Sequence, residues 1–339
     1  MKDCPLISSS SLLDPLEGQN RAGPFRRASF IDLVDEVNEH SLTIVGQQLS
    51  KLELERVVQF SVGNHAEKTA TPIQTKALII TGPPRSGTST LQLLLSLGCG
   101  WRSPSGVSLA YGRSANSKEA GQMIRQATLR AALVRRANPG GYQSHRIPIR
   151  QADECSIGLL NYIWGVQPLI NWSCPQYLDR LMTESGSVEY SHYFSYLVGL
   201  GVLGEGLGCE APLPAVLKAP GHELFIRTIS ELLPNAVFIR VKRADGDREK
   251  SWLNLVRSFR HMFGHPSSAR DVGFWGDIWA EGAARFTVAS FTDTVEIRFE
   301  DVVHRPFAIT TMLASAIGAP EPDRARVERT ARLLRRVLG

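Results

Sequence analysis

The sequence is short of cysteine and of long apolar runs. Its 339 residues include five scattered cysteines with no C-x-x-C pair, namely Cys4, Cys99, Cys155, Cys174 and Cys209. An odd number without metal-ligand spacing argues against a disulfide framework and a zinc site, and favours reduced thiols in a cytoplasm. No run of about 18 apolar residues predicts a membrane span, and residues 1–10 lack the charged-then-apolar order of a signal peptide. We therefore predict a cytoplasmic protein.

The charge balance is basic but is not arranged as a nucleic-acid-binding face. The formal net charge is +5, with 21% charged and 43% hydrophobic residues, which is ordinary for a globular protein with a sizeable core. A positive balance suits an anionic cofactor and also suits nucleic acid. The arginines crowd residues 324–336, where apolar residues alternate with them as in a solvated amphipathic helix. We predict no nucleic-acid partner.

Residues 82–90 read G-P-P-R-S-G-T-S-T and directly follow the apolar run 77–80. The glycine spacing is that of the phosphate-binding pattern G-x-x-x-x-G-K-[ST], but Thr88 stands where that pattern has lysine. A strand, a glycine turn and a helix starting near Ser89 would offer unpaired N–H groups to a phosphate. Without the lysine, the loop is poorly equipped to hydrolyse Mg·ATP, and its one cation is Arg85. An unrelated strand-turn-helix is the alternative.

A second anion-binding pattern lies between residues 215 and 251. A short strand ends in a turn at Pro220, a helix is predicted over 222–233, and residues 236–241 form a buried-strand pattern. Arg243 follows that strand, and Ser251 comes eight residues later, on what we expect to be the first turn of the next helix. Arginine offers a planar fork to phosphate oxygens, and serine a hydroxyl beside helix N–H groups. The alternative is that Arg243 pairs with a nearby aspartate and Ser251 only caps its helix.

The order of elements predicts an α/β fold of the P-loop type, with three layers around a central parallel sheet. Strands are predicted near four positions, each followed by a helix: Leu78, Val216, Phe238 and Ile297. In such sheets ligands bind at the carboxyl ends of the strands, where both patterns fall.

We predict one domain, because a single sheet must span both patterns. Its expected parts are a flexible N-terminus (1–24) and an α/β domain (25–339) that contains a helical leader (25–75) and a helical substrate-side insertion (about 105–210).

These patterns together resemble one protein family. The loop P-x-R-S-G-T-[ST], then L-K-x-P-x-H at residues 217–222, a helix, a strand, Arg243 and Ser251 follow one another as in sulfotransferases that use 3′-phosphoadenosine 5′-phosphosulfate (PAPS). The chain is most similar to the bacterial branch related to aryl and protein-tyrosine sulfotransferases. Residues 295–302 are similar to the family's Y-E-D-L segment, with Phe299 at the tyrosine position. The resemblance runs from about residue 25 to residue 320.

The resemblance implies a donor site with two anion pockets. Its cosubstrate would be PAPS, its product adenosine 3′,5′-bisphosphate, and no metal would be needed. Arg243 and Ser251 would hold the 3′-phosphate. The 5′-phosphosulfate would lie on the loop residues Pro84, Arg85, Ser86, Gly87, Thr88, Ser89 and Thr90.

In-line sulfuryl transfer needs cations and a base. Arg85 is the candidate to stabilise the leaving phosphate and the sulfuryl oxygens, with Lys218 as second cation or proton donor, unless Lys218 forms only a surface salt bridge. Related enzymes use Glu or His as the base. We place Glu154 and His145 ahead of His222. Glu154 has an alternative role as an N-terminal helix charge, and His222 as a support of its own helix.

The acceptor would be a small molecule with a hydroxyl or amine, bound by residues 142–210. That segment is rich in rings, which suit a flat aromatic acceptor if they line a cavity. The alternative is that they form core. The rings are Tyr162, Trp164, Trp172, Tyr177, Tyr190, Tyr193, Phe194 and Tyr196.

Two other functions stay open. One is a P-loop kinase for a small metabolite, which Thr88 and the spacing of Arg243 and Ser251 both disfavour. The other is a catalytically degenerate nucleotide-binding protein. The oligomeric state is left open.

Overall fold

A computed structural model describes residues 7–14, 26–39, 43–63, 72–112, 117–139, 150–204, 213–243, 245–264, 270–289 and 292–338. Four strands form one sheet in which every pairing is parallel, in the order β2-β1-β3-β4. The strands are β1 Ala77–Thr81, β2 Ala215–Lys218, β3 Ala236–Lys242 and β4 Asp293–Arg298. Each contains one of the four predicted strand positions, so the predicted parallel sheet is confirmed.

Helices precede, connect and follow these strands. A π-helical turn, Leu94–Gly98, extends α4, and a 3₁₀ helix, Pro220–Phe225, leads into α11. The α-helices are α1 Ser9–Leu13, α2 Arg27–Asn38, α3 Ile44–Gly63, α4 Thr88–Leu93, α5 Gly106–Tyr111, α6 Ser117–Ala137, α7 Cys155–Leu160, α8 Gln167–Asn171, α9 Pro175–Thr183, α10 Ser187–Gly199, α11 Ile226–Leu232, α12 Asp245–Phe263, α13 Arg270–Thr287, α14 Phe299–His304, α15 Pro306–Ala316 and α16 Arg324–Leu338.

The central strand β1 separates two hydrophobic cores. All five of its residues are buried, as expected of a strand covered on both faces. Leu78 and Ile80 join a core with α4, α15 and α16, whereas Ala77 and Ile79 join a larger core with α2, α3 and α13. Successive side chains of a strand point to opposite faces, so β1 contributes side chains to both cores. This is the three-layer arrangement that the sequence predicts.

The N-terminal stretch differs in part from the flexible segment expected for residues 1–24. Ser8 accepts a hydrogen bond from the Ser11 N–H at 3.3 Å and so caps α1. Leu12 and Leu13 are buried in the larger core. Asn38 binds both backbone groups of Ile7, at 3.0 and 2.8 Å. An apolar pair behind a serine cap therefore ties residues 7–14 to α2 and α3.

The segment after β2 also differs from a single helix over 222–233. It starts at Pro220 as the 3₁₀ helix and becomes α-helical only at Ile226. Thr81, the last residue of β1, donates to the Pro220 carbonyl at 3.1 Å and accepts from the Glu223 N–H at 3.2 Å. These two bonds fix the end of β1 against the turn after β2, so the segments that follow both strands start side by side at one edge of the sheet.

Candidate active site

The loop after β1 is shaped by backbone that few residues can adopt. Gly82 has φ +125° and Gly87 φ +90°. A Cβ at Gly82 would lie 2.8 Å from the Val241 carbonyl oxygen, and one at Gly87 would lie 2.0 Å from Cδ2 of Phe299. Arg85 has φ +68°, a left-handed conformation that costs a non-glycine residue about 1 kcal/mol. The loop thus packs closely against β3 and the start of α14, and the backbone of Arg85 is strained.

The loop leaves the start of α4 without a side-chain cap. Ser86 is buried and donates from Oγ to the Pro83 carbonyl at 2.6 Å, which closes the turn on itself. Gly87, at the N-cap position of α4, has no side chain, so the partial positive charge of this helix end is not offset there. Of the predicted loop residues, Pro84 and Thr88 are also buried, while Arg85, Gly87, Ser89 and Thr90 are half-buried.

The two anion-binding patterns meet in space. Arg85 donates from Nε to the Ser251 hydroxyl at 3.0 Å. Arg243 donates from Nη1 to the Arg85 carbonyl at 3.4 Å, and its guanidinium lies 4.7 Å from the centroid of the Phe299 ring. The parallel pairing of β1 with β3 brings the loop and Arg243 to the same edge of the sheet. The structure therefore brings Arg85 into contact with both Arg243 and Ser251, whereas the sequence analysis assigned Arg85 to the phosphate loop and the other two to a second anion pocket.

Arg85 and Arg243 are like charges held side by side. Burial lowers the pKa of Arg85, and the charge of Arg243 lowers it further, while Glu154 acts in the opposite direction. Two neighbouring guanidinium groups repel each other unless an anion lies between them. The arrangement is consistent with a binding place for a negatively charged group.

Ser251 does not occupy the first turn of its helix. Helix α12 begins at Asp245, so Ser251 lies in the second turn and its hydroxyl is not beside unpaired helix N–H groups. The expected N-terminal position was wrong because the helix starts three residues before Arg248. The hydroxyl instead meets the loop through Arg85.

On the other side of the loop, Lys218 joins the sheet to two further residues. Its ammonium group donates to the Ser89 hydroxyl at 2.9 Å and contacts the Glu154 carboxylate. Lys218 is 1% exposed and Glu154 18%. A salt bridge this deeply placed differs from the surface pair that was the alternative for Lys218. Lys218 ends β2, beside Ile80 of β1, which explains why it reaches α4.

Glu154 stands at the N-cap of α7 but does not cap it. Its side chain makes no capping hydrogen bond and instead meets Lys218 through one oxygen and the Ser156 hydroxyl, at 3.2 Å, through the other. Glu154 thus stands where the alternative, an N-terminal helix charge, requires it, and its carboxylate also contacts Lys218. The carboxylate therefore contacts Lys218, which in turn bonds the Ser89 hydroxyl in α4.

Asp153 is a part of this region whose role the sequence analysis missed. It is 8% exposed, and its Oδ1 accepts the Glu154 N–H at 2.8 Å. Its carbonyl accepts a bond from Gln92 of α4 at 2.9 Å. Burial raises the pKa of Asp153 to about 7. The signal in the sequence was the acidic pair Asp153-Glu154 just before an apolar run. The Asp153 carboxylate accepts the N–H of Glu154.

His222 is fully buried behind Lys218. Its Nδ1 lies 2.9 Å from the Tyr190 hydroxyl, and its Nε2 has no hydrogen-bond partner in the part of the chain that the structure describes. Burial and the nearby charge of Lys218 lower the pKa of His222 to about 3. The imidazole is therefore neutral at physiological pH. His145, the other histidine candidate, lies outside the described residues.

The rings of the insertion form core. All eight are part of the larger hydrophobic core at 4% exposure or less. They pack on one another, as Tyr190 does on Phe194 and Phe225 at 5.5 Å. The core alternative therefore holds for these side chains, and they do not identify the acceptor.

No described helix is long and apolar enough to span a membrane. No group of three or more His, Cys, Asp or Glu is placed to bind a metal there.

Comparisons with known proteins agree on one family. The model of the "Sulfotransferase family" matches residues 77–323. Sulfotransferase STF1 from Mycobacterium tuberculosis H37Rv has a structure similar to this chain at TM-score 0.75 and 18% identity, covering 100% of both chains. Sulfotransferase STF9 from Mycobacterium avium is similar at TM-score 0.67 and 17% identity, covering 91% of this chain and 82% of its own. At these identities both show the shared fold. No curated protein sequence matches this chain. The family model covers most of the chain, including the loop, Lys218, Arg243 and Ser251, and the chain therefore belongs to the sulfotransferase family.

Proposed function

We propose that this protein transfers a sulfuryl group from PAPS to a hydroxyl or amine of a small-molecule acceptor, without a metal. The observation that carries the proposal is the position of Arg85 between two groups. On one side it bonds Ser251 and lies beside Arg243, and on the other lie Lys218, Ser89 and Glu154. The first group suits a phosphate, and the second suits the chemistry of transfer.

The donor fits because its two anionic ends match two sets of donors. The 5′-phosphosulfate would lie on the start of α4, where N–H groups without a side-chain cap and a helix dipole favour an anion. The 3′-phosphate would lie at Arg243 and Ser251. Arg85 would serve both ends, since it belongs to the loop before α4 and contacts Arg243 and Ser251. The repulsion between the two guanidinium groups would be relieved by the bound anion.

Lys218 is proposed to stabilise the leaving group. An ammonium group has three donors, and within the described residues two serve Ser89 and Glu154. The third can bond the bridging oxygen. In the reaction, a bond forms from the acceptor oxygen to sulfur while the bond from sulfur to the bridging oxygen breaks. The electron pair passes to that phosphate oxygen, where Lys218 and Arg85 offset the charge.

Glu154 is proposed as the base that takes the acceptor's proton. It lies at the loop, in contact with Lys218, and is partly accessible. His222 is the weaker candidate, because its ring is fully buried and its Nδ1 already bonds Tyr190. His145 stays a prediction. A base must reach the acceptor's proton directly or through one water.

We also propose a cytoplasmic location. The cysteines that the structure describes, Cys99, Cys155 and Cys174, are free thiols, as is usual in a reducing compartment. The domain limits at residues 24 and 25 and the extent of the insertion likewise stay predictions.

One titration tests the donor. Calorimetry should compare adenosine 3′,5′-bisphosphate, AMP, ADP and Mg·ATP. Clear preference for the bisphosphate without Mg²⁺ supports the proposal, and preference for Mg·ATP would favour a kinase. Incubation with labelled PAPS and a small-molecule extract should then yield a labelled product. Bisphosphate binding with no transfer to any acceptor would favour the degenerate nucleotide-binding protein.

A further inference from the structure

Gln92 is a buried polar residue in the helix that starts at the phosphate loop, and the proposed mechanism does not use it. Its side chain is fully buried. It follows Ser89 by three positions in α4, so the two side chains lie on the same face of the helix. Ser89 accepts the hydrogen bond from Lys218. A buried amide is costly unless it is hydrogen-bonded, so its partners indicate what it holds in place.

The side-chain amide of Gln92 makes two hydrogen bonds, and the acceptors fix its orientation. Its Nε2 donates to the Asp153 carbonyl at 2.9 Å and to the Ser103 hydroxyl at 3.1 Å. The Ser103 hydroxyl donates its own proton to the Val216 carbonyl at 2.9 Å, so it can only accept from Gln92. Both N–H groups of the amide are therefore committed, one to the residue before Glu154 and one to a side chain that is bonded to β2.

The peptide unit between Asp153 and Glu154 is held at both of its polar groups. Its carbonyl accepts from Gln92, and its N–H donates to the Asp153 carboxylate at 2.8 Å. Because a peptide unit is planar, these two bonds fix its orientation and with it the Cα of Glu154. The Asp153 N–H also donates to the Pro104 carbonyl at 3.1 Å, which fixes the preceding peptide unit.

The other branch of this network leads to Lys218. Val216, whose carbonyl is bonded by Ser103, lies two residues before Lys218 in the same short strand, β2. Gln92 is thus the junction between the strand that carries Lys218 and the segment that carries Glu154. These two side chains contact each other, and the contact depends on the position of both backbones.

We propose that Gln92 and Asp153 are positioning residues, which hold the peptide unit before Glu154 so that its carboxylate lies against Lys218. The inference rests on the proposed function, in which Glu154 takes the acceptor's proton. Within the described part of the chain, the hydrogen bonds of the Gln92 side chain go to Ser103 and Asp153 and to no residue of the loop. Its loss should therefore lower the rate of transfer and leave donor binding intact.

Crystal structures of the full chain test the geometry without an assay. Methionine has nearly the shape of glutamine but no N–H donor, so Gln92→Met removes both bonds at almost constant volume. We expect the Glu154 carboxylate to contact Lys218 in the wild type and to lie away from it in the variant. Leu94→Ala, in the smaller core, is the control for general loss of stability and should keep the contact. An unchanged contact in Gln92→Met would overturn the proposal.

Turnover at saturating donor measures the consequence for catalysis. Gln92→Met should lower kcat about tenfold, because a small misplacement of a reacting group slows the reaction. The affinity for adenosine 3′,5′-bisphosphate should stay within about twofold of the wild type. In a Glu154→Gln background the same substitution should lower kcat no further, because the group that it positions is gone. An equal loss in both backgrounds would indicate a merely structural role and refute the inference.

Further variants keep the test decisive if Gln92→Met does not fold. Gln92→Asn keeps the amide but is one methylene too short for the Asp153 carbonyl, and it should show the same loss of kcat. Asp153→Ala removes the acceptor of the Glu154 N–H and should lower kcat about tenfold. Asp153→Asn keeps a side-chain oxygen there and should recover most of that loss. Equal turnover in the two Asp153 variants would speak against positioning through this bond.

The outcomes separate this inference from the proposed function. Full turnover in Gln92→Met beside a loss in Glu154→Gln would refute the positioning role alone. Absence of transfer by the wild type would sink the proposed function, and the crystal structures would still decide whether Gln92 holds Glu154 against Lys218.

Discussion

Arg85 and Ser251 are 166 positions apart in the sequence, yet the Arg85 Nε donates to the Ser251 hydroxyl at 3.0 Å. The contact joins a loop on β1 to a helix that follows β3. It also places the Arg85 guanidinium beside residues that we propose to bind phosphate. The strained φ of Arg85, +68°, accompanies this role, as is common where function requires an unusual backbone conformation.

Replacing Arg85 separates its charge from its backbone strain. Arg85→Ala and Arg85→Gly should both lower the transfer rate about 100-fold or more, because each removes the cation from the sulfuryl and phosphate oxygens. Glycine adopts a positive φ at no steric cost, so Arg85→Gly should be about 1 kcal/mol more stable than Arg85→Ala. Urea unfolding and a labelled-donor assay measure the two effects. Equal stability of the variants would argue against the left-handed conformation.

Arg243 should distinguish the two phosphates of the ligand. Arg243→Ala should lower the affinity for adenosine 3′,5′-bisphosphate at least tenfold. The affinity for AMP should change little, because AMP lacks the 3′-phosphate. The control is Lys242→Ala, since Lys242 is an exposed neighbour paired with Glu296. Calorimetry gives both affinities. If the affinities for both nucleotides fall equally, the assignment of the 3′-phosphate to Arg243 is wrong.

Glu154→Gln tests the base at nearly constant shape. We expect turnover at saturating donor to fall about 100-fold, within the range for loss of a general base, with little change in bisphosphate affinity. Ser156→Ala is the matched control, because it removes only the 3.2 Å bond to the other Glu154 oxygen and should cost less than fivefold. Wild-type turnover in Glu154→Gln would move the role to His145 or His222.

His222 should make stability depend on pH. Its pKa is lowered from 6.5 to about 3, so the unfolded chain binds a proton below pH 6.5 that the folded chain does not. Stability is therefore lost as the pH falls from 6.5 toward 3, by about 1.4 kcal/mol per unit. Between pH 7.5 and 5, wild type should lose about 2 kcal/mol relative to His222→Gln in urea unfolding. Tyr190→Phe keeps the histidine and should keep the slope. An equal loss in wild type and His222→Gln would contradict the buried neutral imidazole.

The sheet and the loop were predictable because their signals are local. The apolar run 77–80 before G-P-P-R-S-G-T needs no knowledge of the rest of the chain, and four strands that are each followed by a helix predict a parallel sheet. The pairing of Arg85 with Ser251 was not predicted, since the resemblance assigns them to different anion pockets and no spacing rule joins positions so far apart.

Other parts of the site depend on tertiary packing, which the sequence does not report. Trp164 and Tyr190 lie in an insertion that is rich in aromatic residues. Such a sequence can form either a core or the lining of a cavity, and the sequence alone does not distinguish the two. The depth of Lys218 and the burial of His222 follow from the helices that cover them. The start of α12 at Asp245 moved Ser251 by a turn, a shift within the usual uncertainty of helix ends.

Phe299 fills the space that a side chain at position 87 would need, and its ring also lies under the Arg243 guanidinium. One aromatic residue at the junction of β4 and α14 thus touches both proposed phosphate-binding elements, the loop at Gly87 and the guanidinium of Arg243. A change at Phe299 would therefore alter the surroundings of both at once.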